Sequence, residues 1–250
     1  ASLPAANQKA TLDALISVIE AKELPLEVSS SVEQWMRLIA ARGIAATKSL
    51  GEGNRYHQAL FSLINNEQAK LNIRCQAAEL LAGLGPAYQS ANGIDERQLA
   101  QSLLQLAIDV AADERQKAVD YEKKTIRGGL NTFETSEVKL PDPYQVRRTV
   151  LRLRGTLAAL KAARPAVKNA EMQTTLGDVE KELATVLAIA ESKDVIAINL
   201  ARDVKKMANR VETIAGEAGI EAVEPVEEED EEDEVAGAPT IQAEGAEPPQ

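Results

Sequence analysis

Apolar residues recur at three- and four-residue steps along most of this chain, the spacing that lays a stripe down one side of a helix. Leu12, Leu15, Ile16 and Ile19 form the first stripe, and Pro25 stops that helix and opens a turn. Val32, Trp35, Met36, Ile39, Gly43, Ala46 and Leu50 form the second, ended by Gly51, where a left-handed cap is least strained for glycine. Ala59, Leu60, Leu63 and Ile64 mark a third helix. Leu71, Ile73, Ala77, Ala78, Leu81 and Leu84 mark a fourth, closed by Gly85 and Pro86, and its small residues allow close approach of neighbours. Asp95 starts a fifth helix through Leu99, Leu103, Leu106 and Val110, predicted to run to Arg127 and to break at Gly128 and Gly129. Its later half is mostly charged and is expected to project into solvent or lie along a single neighbour.

A loop over residues 128–142 follows, and Asp142 is placed to cap a helix with Pro143 in its first turn. Val146, Val150, Leu153, Leu157 and Leu160 continue the pattern until Pro165. Beyond it, Met172, Leu176, Val179, Leu183, Val186 and Ala190 lead through Lys193 to Ala197, Leu200, Val204, Met207, Val211 and Ile214 in one 4-3 register. Such a seam is coiled-coil-like and needs a helical partner, either within the chain or in a second copy across residues 172–214. As one helix it would extend roughly 65 Å. Alternatively, Ser192 or Asp194 caps a new helix and the chain folds back as a three-helix bundle.

Residues 13–28 and 58–73 superimpose at a shift of 45 residues: Ala14 falls on Ala59, Leu15 on Leu60, Ile19 on Ile64 and Leu26 on Leu71. Helix pairs at such a period are the mark of stacked arrays. Ile73 and Arg74, followed by Ala77, Ala78, Leu81, Leu84 and Gly85, resemble the second helix of a HEAT-like repeat of the armadillo-type α-solenoid class. The resemblance covers residues 10–86, with a third unit starting near Asp95 as its extension. It departs at Asn72, where such repeats often carry Asp, and in the first copy, which lacks the arginine. It implies a rigid, slightly curved surface of stacked helix pairs, and an array so short must have its open apolar end capped.

Composition agrees with helices: 44% of residues are apolar, only 3% are aromatic, and strand-type alternation is nearly absent. The expected fold is therefore all-α. A short HEAT-like array at 1–90 joins a long-helix bundle at 95–217, and a disordered acidic tail occupies 218–250. The net charge of −11 belongs to that tail, because residues 221–250 hold twelve carboxylates and no Lys or Arg. The rest has 27 acidic against 28 basic residues. A balanced body argues against a dedicated nucleic-acid binder.

The residues for chemistry are few. His57 and Cys75 are the only histidine and the only cysteine, so neither an intrachain disulfide nor a zinc set can form. Cys75 reads as a small core residue and His57 as a structural or exposed one. The GEGNR segment at 51–55 lacks the lysine spacing of a phosphate loop. No catalytic, cofactor or metal residues are expected, and no run is long enough to span a bilayer. The chain reads as soluble, cytoplasmic or exported after processing. The expected function is a non-catalytic scaffold or adaptor presenting a helical face to a protein partner. Candidate contacts are Arg55, Tyr56 and His57 at a repeat edge, and Arg147, Arg148, Arg152 and Arg154 on one basic helix. That basic cluster, with Arg164 nearby, is expected to pair with acidic faces such as Glu180 and Glu182. The alternative is anion or nucleic-acid binding through helix 143–164, with the acidic tail as an electrostatic mask.

Overall fold

The computed structural model describes residues 5–20, 29–85, 93–130 and 145–220. Among them the chain is helical throughout its regular structure, with no strand. The helices are α1 (Ala5–Ile19), α2 (Ser30–Ala45), α3 (Arg55–Ile64), α4 (Leu71–Ala82), α5 (Glu96–Leu130), α6 (Val146–Ala163), α7 (Ala170–Ala190) and α8 (Ala197–Glu217). The expected turn at Pro25, most of the 128–142 loop, the cap at Asp142 and the tail from residue 221 lie outside the described residues.

Two hairpins, α1/α2 and α3/α4, stack side by side. Their second helices run parallel, since Gln34 meets Lys70 and Arg42 meets Gln76. Arg74 joins the pair to the rest: its Nε donates to the Ile64 carbonyl at the end of α3, 2.7 Å away, and its guanidinium pairs with Asp109 on α5. Helices α5 to α8 then run up, down, up and down. Glu96–Lys168 and Glu114–Arg148 set α5 antiparallel to α6. Arg154–Glu191 and Arg164–Glu180 set α6 antiparallel to α7. Arg210–Glu182 ties α8 to α7, while Arg115–Glu212 and Lys205–Glu122 tie it back to α5. This is the connectivity of a four-helix bundle. One continuous apolar core runs through hairpins and bundle from Ile16 to Ala215.

Three boundaries differ from the sequence reading. Helix α5 includes Gly128 and Gly129 in its last turn and ends at Leu130. Glycine lowers helix stability without forbidding it, and α8 lies along the later half of α5. The 172–214 register is broken at 191–196, so of the two readings the fold-back holds, with α8 beginning at Ala197, a few residues beyond Ser192 and Asp194. Both halves of the seam are buried within one chain, through Leu176, Val179, Leu183 and Val186 on α7 and Leu200, Val204, Met207 and Val211 on α8. Finally, α2 stops at Ala45, well before Gly51, and Lys48 just beyond it takes a left-handed φ of 54°.

The tightest packing is between α4 and α6, which run parallel. Asn72 meets Arg152, the Cys75 carbonyl meets Gly155, and Gly85 meets Ala162. At Gly155 a Cβ would stand 2.2 Å from the Cys75 carbonyl oxygen, so glycine is needed for the two backbones to touch. Gly155→Ala should force the helices apart and destabilise the fold by about 2–3 kcal/mol, the typical cost of overpacking. A urea unfolding midpoint measured on both proteins checks this; an unchanged midpoint would show that the helices are not held at this spacing.

Candidate functional site

Two features stand out, one inside the molecule and one on its surface. The first is an ionic network where α4, α5 and α6 meet. Asp109 and Asp113 are four residues apart on α5, with Glu114 following, and Arg148 and Arg152 are four apart on α6, so each set lies on one side of its helix. Antiparallel packing brings them face to face. Arg152, 3% exposed, pairs with Asp113 and with Glu114 at 3.0 Å, and its Nε donates to Asn72 on α4 at 2.6 Å. Arg148 pairs with Glu114 at 3.1 Å, and the Thr149 hydroxyl donates to the same carboxylate at 2.6 Å. With Arg74–Asp109, three guanidinium groups face three carboxylates.

Burial alone would push the Glu114 carboxyl up. The guanidinium groups of Arg148 and Arg152, with the Thr149 hydroxyl, outweigh that and hold it below the usual carboxylate range. Beside this network the Cys75 thiol is wholly buried and desolvation pushes it up to about 12, so at neutral pH it is a protonated core group. The network therefore fixes helices rather than offering a nucleophile or a proton donor. Among the described residues no group of three or more His, Cys, Asp or Glu is placed to hold a metal ion, and no helix is long and apolar enough to cross a membrane.

The second feature is the outer side of α2. Val32, Trp35 and Ile39 were expected in the core, yet they are 45%, 60% and 40% exposed. The inward side is instead Leu38, Ala40, Ala41, Ile44 and Ala45. Alanines let α1 and α4 approach, and Gly43 lies against Leu15. Helix α2 thus carries two apolar stripes and buries the flatter one. Gln34, on the buried side with Leu38, accepts from the Lys70 backbone N–H at 2.9 Å at the start of α4.

The remaining candidate contacts divide. Arg55 is exposed and pairs with Asp13 at 2.6 Å. Tyr56 is half-buried with its ring against Gly51. His57 is buried and stacks on Phe61 with ring centres 5.5 Å apart, so its side chain faces inward rather than toward a partner. Arg148 and Arg152 are held in the network, Arg154 is exposed and pairs with Glu191 at 2.6 Å, and Arg147 is exposed. Of the acidic partners expected, Glu180 does take Arg164 at the end of this basic run, whereas Glu182 takes Arg210 on α8. A cavity of about 510 Å³ also lies at the amino ends of α5 and α7, against Ile94, Arg97, Val167, Met172 and Ala218. On its rim, Asp95 already caps α5 and Glu96 already pairs with Lys168.

Comparison with protein-family models, with curated proteins and with solved structures finds no match.

Two acid-sensitive groups give separable expectations. Desolvation lowers the His57 pKa to about 4 from 6.5, so between those values the unfolded chain takes up a proton that the folded chain refuses. Stability should fall as pH falls through that window, and His57→Phe should flatten the slope. Glu114, also lowered, contributes stability above its unfolded value near 4.5 that is lost only on further acidification. Arg152→Met should cost about 3–5 kcal/mol at pH 7, because it leaves buried carboxylates without their cation. Urea titrations of the three proteins from pH 7 to 3 read both effects.

Proposed function

We propose that this chain is a non-catalytic adaptor that docks a protein partner on the outer side of α2. The observation that carries the reading is the row Val32, Trp35 and Ile39, three large apolar side chains left exposed at helical spacing. A water-facing apolar row of this kind has an energetic use once a partner covers it. Tryptophan is also the residue type most often found at the energetic centre of protein interfaces. The stacked hairpins with parallel α2, α4 and α6 support reading the first part of the chain as a HEAT-like array. On that reading the bundle covers one end of the array, while α2 lies at the other and keeps a free side. Arg55 and Tyr56 would border the same end.

Anion or nucleic-acid binding through the arginine-rich helix has less support. Arg148, Arg152 and Arg154 already face carboxylates, and base stacking would need aromatic residues that α6 lacks.

The test is affinity capture from native extract at moderate salt, comparing the full chain with its Trp35→Glu and Arg154→Glu forms. Trp35→Glu should lose the captured protein partner and Arg154→Glu should keep it, with thermal midpoints unchanged because both sites are exposed. Capture that survives Trp35→Glu, or nucleic acid lost with Arg154→Glu, would overturn the reading.

A further inference from the structure

We draw no further inference here: the strongest candidate, the exposed apolar row of Val32, Trp35 and Ile39 on the outer side of α2, belongs to the docking face already described, and nothing in the structure shows what covers it, since the exposed Glu79 stands on α4 between Gln76, which takes Arg42, and Gly83, which lies beside Lys48, so that no charge complementarity selects an occupant.

Discussion

Everything in this molecule is built around the meeting of Glu114 and Arg152 away from water. Each ion alone would be costly in the core, by several kcal/mol after relaxation. Together, with Arg148, Asp113, Thr149 and Asn72 meeting the remaining lone pairs and protons, they become acceptable only in one arrangement of three helices. A shift of α6 by one turn along α5 would separate the partners. Leucines and alanines supply most of the apolar burial here, but side chains so alike tolerate several registers. The charged groups tolerate one. That register in turn sets Gly155 against the Cys75 carbonyl and brings α4 into backbone contact with α6.

Fixing α4 has consequences at both ends of the fold. On one side it seats the bundle, so that hairpins and bundle share one apolar core beside the ionic network. On the other it seats α2 through the Gln34 and Arg42 contacts. The exposed row on α2 is thus presented by a rigid base. A docking face gains from such rigidity, because less conformational freedom remains to be lost on binding.

How much of this could be read from the residues depends on which rule each feature obeys. Helices obey local rules, and the three- and four-residue steps of α1, α3, α4, α7 and α8 announce them with the correct inward side chains. The seam from Leu176 to Val211 was visible too, and so was a fold-back near Ser192 or Asp194, but not the choice between it and one long helix, since the periodic positions pass through the turn without interruption. Helix α2 was misread because Val32, Trp35 and Ile39 make as good a stripe as Leu38, Ala41 and Ala45. Only the neighbours decide which is covered, and they prefer alanine. The arginines were visible as a cluster, whereas their partners lay some 35 residues upstream in a helix whose later half was read as projecting into solvent or lying along a single neighbour. The available signal was four-residue charge spacing on both helices, Asp109 to Asp113 against Arg148 to Arg152, embedded among alanines and leucines.

The parallel pairing of α4 with α6 also orders events in time. Asn72 and Cys75 find their partners at Arg152 and Gly155, eighty residues later in the chain. At the usual pace of synthesis that interval lasts about 4–16 s. During it the first two hairpins can form, but the side of α4 that carries Cys75 has no α6 to lie against. The nascent protein therefore passes through a stage with an apolar side open. That side closes only when α6 arrives, so a helix from the second half of the chain completes the first.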